Sequence, residues 1–162
     1  MANNENLETS KISKILVAID SSHISIHAAK HAVELAKKYN AKLIALTIIN
    51  IQPWFYSSTR YGWMNLETME KVRESDRRHA QRWLDQVKGT AEDRGVKSQT
   101  KTLLVPYTQS STAGAIIDYA EENHVDLIVI GTRGHSGLKK MLLGSIALAV
   151  LTYSRCPVLV IK

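Results

Sequence analysis

Residues Ile15 to Ile19 read ILVAI, an apolar run without a polar position, and the run stops at Asp20. A strand with one wet face alternates apolar and polar residues, whereas a strand apolar at every position must be covered on both faces. The run therefore marks a central strand of a parallel sheet. Parallel neighbours need long crossovers, ordinarily helices, so the chain is expected to alternate strands and helices with helices on both faces of the sheet.

The rest of the chain supplies that alternation. Ser21 and Ser22 offer helix caps, and Ile26, Ala29, Ala32, Val33 and Ala36 repeat at helical spacing. Ala41 to Ile51 is a second strand too apolar for a wet face, ended by Pro53. Trp54 to Asn65 follows without a clear period and holds Trp54, Phe55, Tyr56, Tyr61 and Trp63. Such a segment is a lid over a ligand, a surface for a protein partner, since Trp and Tyr favour interfaces, or a stretch that simply folds over the following helix.

Met69, Val72, Asp76, His79, Ala80, Trp83, Leu84, Val87 and Ala91 step by threes and fours and predict an amphipathic helix over 67–94, closed by Gly95. Val96 to Val105 alternates as an edge strand does. Ala113, Ile116, Ile117 and Ala120 mark a further helix, with Ser110, Ser111 and Thr112 as caps. Asp126 to Ile130, Ile146 to Tyr153 and Pro157 to Ile161 then predict a strand, a helix and a last strand. Five strands and four helices are expected in a single domain over residues 12–162, after a polar, disordered tail at 1–11.

Between the fourth strand and its helix lies IGTRGHSGLKKMLLGS, Ile130 to Ser145, with four of the eight glycines of the chain and the basic residues Arg133, His135, Lys139 and Lys140. Glycines at a strand-to-helix junction provide positive φ or close approach, and helix N-terminal amides attract anions. Phosphate is the expected ligand. No Gly-Lys pair exists for a P-loop, and the spacing differs from G-x-G-x-x-G. In open parallel sheets ligands bind beyond the carboxyl ends of the strands where the strand order reverses. Asp20 and Gly131 both stand at such ends.

Composition excludes several classes. The +6 net charge comes from 21 Lys+Arg against 15 Asp+Glu, and many of these charged residues lie in a helix of alternating signs, so a solvated face is expected and not nucleic acid. No apolar run approaches the ~20 residues of a membrane span and the start lacks a signal-peptide core, so the expectation is a cytoplasmic protein without membrane contact. His23, His27 and His31 lie opposite the apolar stripe of their helix and should face water, not a metal. The single cysteine, Cys156, is expected to be a buried, inert thiol.

With Asp20 and the glycine loop identified, the chain resembles the universal stress protein family from about Ser13 to Lys162. The family motif G-x2-G-x9-G-[ST] appears as Gly131, Gly134, Gly144 and Ser145; ILVAID leading to Ser25 and the terminal CPVLVI also match. The resemblance implies an adenine nucleotide alpha hydrolase-like α/β fold with strand order 3-2-1-4-5. It also implies membership of the ATP-binding group. By that likeness Ala18 and Asp20 would lie near ribose and adenine, Ile48 on the adenine, and Gly131, after Ile130, by the ribose. Gly134, Gly144, Ser145 and Ile146 would hold phosphates through backbone amides and the serine hydroxyl. Arg133 either neutralises a phosphate or points to solvent. Ser145 is also expected to cap its helix, and Asp20 has a competing role as an N-cap.

The expected function is a nucleotide-dependent regulator that binds ATP, ADP or AMP, with any Mg²⁺ carried by the phosphates. No catalytic residue is expected, because no Ser-His-Asp set or phosphoryl acceptor can be placed at the loop. The rivals are a slow ATP-hydrolysing or adenylating enzyme and an interaction module with an unused pocket. Val158 to Ile161 would form a bare sheet edge, and the resemblance implies a homodimer that pairs it with its copy.

Overall fold

The computed structural model describes residues 11–51, 66–106, 112–132 and 143–162. In chain order the elements are β1 (Lys14–Ile19), α1 (His23–Tyr39), β2 (Lys42–Ile51), α2 (Leu66–Asp93), β3 (Ser98–Pro106), α3 (Thr112–Glu122), β4 (Leu127–Gly131), α4 (Ser145–Tyr153) and β5 (Val158–Ile161). The strands form one sheet in the order β3-β2-β1-β4-β5, with every pairing parallel. Both the alternation and the implied order hold. The expected tail, the aromatic segment, and Arg133 and Gly134 lie outside the described residues, apart from Lys11.

The apolar run behaves as its composition requires. Ile15, Val17 and Ile19 pack with α1 and α2 on one face, while Leu16 packs with α3 and α4 on the other. Small residues on α1, namely Ala28, Ala29, Ala32 and Ala36, let that helix lie close to the sheet. Ser22 is its N-cap, its hydroxyl accepting from the Ser25 amide at 3.1 Å, and Asn40 ends it in the left-handed region at φ 52°. Among the described side chains of α2 the buried positions are Leu84, Val87 and Ala91. Asp76 and His79, expected on the same stripe, are exposed. Helical phase alone does not bury a titratable side chain without a partner, because its desolvation costs more than packing returns.

At the amino ends of β1 and β4 one carboxylate stitches the sheet. Asp126 Oδ2 accepts from the Ser13 amide, the Ser13 hydroxyl and the Lys14 amide, each at 2.8 Å. Burial alone raises the pKa of this group. The hydrogen bonds from Ser13 and Lys14, with the Lys14 charge, outweigh that effect and hold the carboxyl below its ordinary value.

Candidate functional site at the strand reversal

The opposite end of the sheet opens into a cleft of about 290 Å³ beyond the carboxyl ends of β1, β2 and β4. Strand order reverses there, since β1 pairs β2 on one side and β4 on the other. The two crossovers leave in opposite directions and cannot fill the space between them.

One wall is the turn after β1. Ser21 has φ 65°, a left-handed backbone that costs a non-glycine residue about 1 kcal/mol. Asp20 Oδ1 accepts from the Ser22 amide at 3.0 Å, and the Asp20 amide donates to Ser25 Oγ at 3.3 Å. Ser22, not Asp20, caps α1. Asp20 instead anchors the turn and lines the cleft beside Ala18 and Ile19. The Thr47 hydroxyl donates to the Ile19 carbonyl at 2.6 Å, tying β2 to this end of β1.

The facing wall is the end of β4 and the start of α4. Ile130, Gly131 and Thr132 lead out of the strand, and Gly144, Ser145, Ile146 and Ala147 line the cleft on the return. The neck between them is closed by the Gly144 amide donating to the Thr132 carbonyl at 2.7 Å, while the Thr132 amide donates to Ile161 of β5. Gly144 is the N-cap of α4 and makes no side-chain cap bond, so Ser145 is the first helical residue and not the cap. A glycine tolerates the cap position, and the shift leaves the Ser145 hydroxyl on the helix rim. The amides of Ser145, Ile146 and Ala147 belong to the first helical turn and lack intrahelical acceptors. They form an electropositive rim at the cleft. The Gly144 amide, already bonded to Thr132, serves the loop neck instead.

Gly131 is required by packing. A Cβ there would stand 2.8 Å from Ile24 Cγ2 and 3.3 Å from the Ile24 carbonyl carbon and the Ser25 amide. This bare backbone lets the first turn of α1 lie against the end of β4.

The floor comes from β2 and α3. Leu46, Ile48 and Asn50 project from one face of β2, and Thr112 and Ile116 face them from α3, with Asn50 Nδ2 donating to Thr112 Oγ1 at 2.9 Å. Thus Ala18, Asp20, Ile48, Ile130, Gly131, Gly144, Ser145 and Ile146 all line one cleft. Ser25, Leu46, Asn50, Thr112, Ile116, Thr132 and Ala147 also line it and were not anticipated. Strand alternation gives Leu46 and Asn50 once Ile48 is placed, and a one-turn step relates Thr112 to Ile116.

Other groups stay apart from the cleft. His23, His27 and His31 are exposed, with the His27 and His31 rings 4.7 Å apart edge to face. Among the described residues no cluster of three or more His, Cys, Asp or Glu side chains can hold a metal. None of their helices is long and apolar enough to cross a membrane. Cys156 is half-buried, not buried, and lines a separate hollow with Glu121, His124 and Arg155. It precedes the edge strand, where neighbouring elements cover only one side.

Comparison with known proteins agrees with this geometry. A family model described as the universal stress protein family matches residues 11–162. A universal stress protein of Methanocaldococcus jannaschii is 36% identical over 160 residues, spanning 99% of this chain and 85% of that protein. Among solved structures, UspA from Lactobacillus plantarum superposes with a TM-score of 0.78 at 24% identity, over 95% of this chain and 100% of that one. A universal stress protein in complex with cAMP gives 0.68 at 23% identity, over 94% and 99%. One from Archaeoglobus fulgidus in complex with dAMP gives 0.60 at 20%, also over 94% and 99%.

Proposed function

Because this chain belongs to the universal stress protein family, we propose that its cleft binds an adenine nucleotide and that the protein acts as a cytoplasmic, nucleotide-dependent regulator in a stress response. The observation that carries this reading is the convergence of Asp20, an apolar floor and the amide rim of α4 at one strand reversal. Solved relatives of the same fold that hold cAMP and dAMP support it. Apolar surface suits the base, Asp20 suits ribose hydroxyls, and the rim suits phosphate.

In this reading Ala18 and Asp20 meet the ribose and base, Ile48 meets the adenine, and Ile130 and Gly131 lie by the sugar. Ser145 and Ile146 hold phosphate through amides and the hydroxyl, and Gly144 sets their position as the cap. Arg133 and Gly134 complete the phosphate side from the glycine loop. Mg²⁺ enters only with the phosphates of ATP. Binding, not turnover, is the function.

Calorimetry with ATP, ADP, AMP and cAMP tests the reading. At least one should bind stoichiometrically with no more than slow hydrolysis; no binding by any of them would refute it, and rapid turnover would replace the regulator with an enzyme. The sheet-edge position of β5 further supports a homodimer, in which Val158–Ile161 pairs antiparallel with its copy. Light scattering at micromolar concentration should give twice the 18.1 kDa chain mass, and a stable monomer would rule the dimer out.

A further inference from the structure

We propose that Asn50 and Thr112 read the 6-amino edge of the bound base, an inference that rests on the adenine-nucleotide reading of the cleft. Leu46, Ile48 and Asn50 are alternate residues of β2 and share one face. Thr112 and Ile116 are one turn apart on α3. All five line the cleft. The floor is therefore apolar at Leu46, Ile48 and Ile116 and carries a polar pair at one end.

That pattern fits a planar heteroaromatic ring. Its faces take apolar contact, and hydrogen-bonding groups are needed only at its rim. The groups suited to sugar and phosphate, Asp20 and the α4 amides, belong to the other walls. This leaves the β2 and α3 side for the base.

The chemistry of the pair is specific. Asn50 Nδ2 donates to Thr112 Oγ1 at 2.9 Å. The bond uses one of two amide hydrogens and one hydroxyl lone pair. Oδ1, the second amide hydrogen and the hydroxyl hydrogen remain for a ligand. A side-chain amide sets an acceptor beside a donor, the complement of an amino group next to a ring nitrogen. Thr112 is the positioning residue: standing at the start of α3, it holds the amide plane. Asn50 stands next to the last residue of β2, so both groups sit on regular elements.

Calorimetry with AMP, purine riboside 5′-monophosphate (the same nucleotide without its amino group) and ribose 5-phosphate tests this. The wild type should bind AMP about tenfold more tightly than the analogue, the worth of one neutral hydrogen bond. Asn50→Ala should weaken AMP by about that factor more than it weakens the analogue, which keeps the ring nitrogen, and should leave ribose 5-phosphate within about twofold. Thr112→Val should lose part of the preference and Thr112→Ser should regain it. Asn50 is exposed, so the Asn50→Ala fold should persist, checked by an unchanged unfolding midpoint. An Asn50→Ala protein that keeps the full AMP preference, or that loses AMP and analogue equally, overturns the assignment. Wild-type protein that binds none of the three, and none of ATP, ADP and cAMP, would instead overturn the cleft reading itself.

Discussion

Gly131→Ala should destabilise the nucleotide-free protein, because the residue is fixed by contact with α1 before any ligand arrives. The added Cβ would lie 2.8 Å from Ile24 Cγ2, against a comfortable carbon separation of about 3.5–4.0 Å. Ile24 cannot swing that methyl aside cheaply, since a β-branched side chain in a helix has essentially one χ1 state. Behind it, the Ile24 carbonyl carbon and the Ser25 amide at 3.3 Å are backbone and yield only if the first turn of α1 moves. Overpacking of this kind costs about 1–3 kcal/mol.

The double variant with Ile24→Ala deletes the clashing methyl while leaving the backbone contacts. It should therefore be more stable than the sum of the two single losses by about 1 kcal/mol. Urea unfolding with a common slope measures all four proteins. A Gly131→Ala protein within about 0.5 kcal/mol of wild type, or strictly additive losses, would refute the packing argument.

Two further outcomes follow from the same contacts. Asp126 has a depressed folded pKa, so its stabilisation is fully present above the unfolded value and is lost as pH falls through the folded one. Asp126→Asn should cost about 1 kcal/mol at neutral pH, a charge-assisted bond discounted for its part-exposed site, and the gap should close in acid. Urea midpoints at neutral pH and well below the carboxylate range check this; a gap that persists in acid would contradict it. Ser22→Ala removes the side-chain cap of α1 and should cost about 1 kcal/mol. Thermal unfolding reads that loss, and an unchanged midpoint would show that the cap bond contributes nothing.

The five strands were legible because a parallel sheet covered on both faces leaves an apolar run at each inner strand, and ILVAI is the plainest. Their spatial order was not, since alternation fixes neighbours in sequence and not in space; 3-2-1-4-5 came from the family resemblance. At the site, strand ends and glycines were legible as positions. The reason for Gly131 was not, because its partner Ile24 is remote in sequence and only the folded chain brings them together. Thr112 looked like a cap and proves to be the first residue of α3, bonded to Asn50. Cys156 read as a buried, inert thiol, yet it is half-buried, and the left-handed turn at His124, φ 51°, brings that histidine to the same hollow.

The two ends of β1 and β4 divide the work of the fold. At the amino end, one carboxylate satisfies three donors across the pair, so its removal is felt as lost stability. At the carboxyl end, polar groups satisfy one another in pairs: Asp20 with Ser22 and Ser25 within one turn, Thr132 with Gly144 across the neck of a loop, and Asn50 with Thr112 from β2 to α3. The Asn50–Thr112 bond is exposed and contributes little to global stability, and together these bonds fix where each group points into the cleft. Gly131 alone joins both roles, because the close approach it permits carries Ser25, and through it the Asp20 turn, against the end of β4. Substitutions at Asn50 or Thr112 should therefore separate binding from stability, whereas those at Gly131 should lose both together.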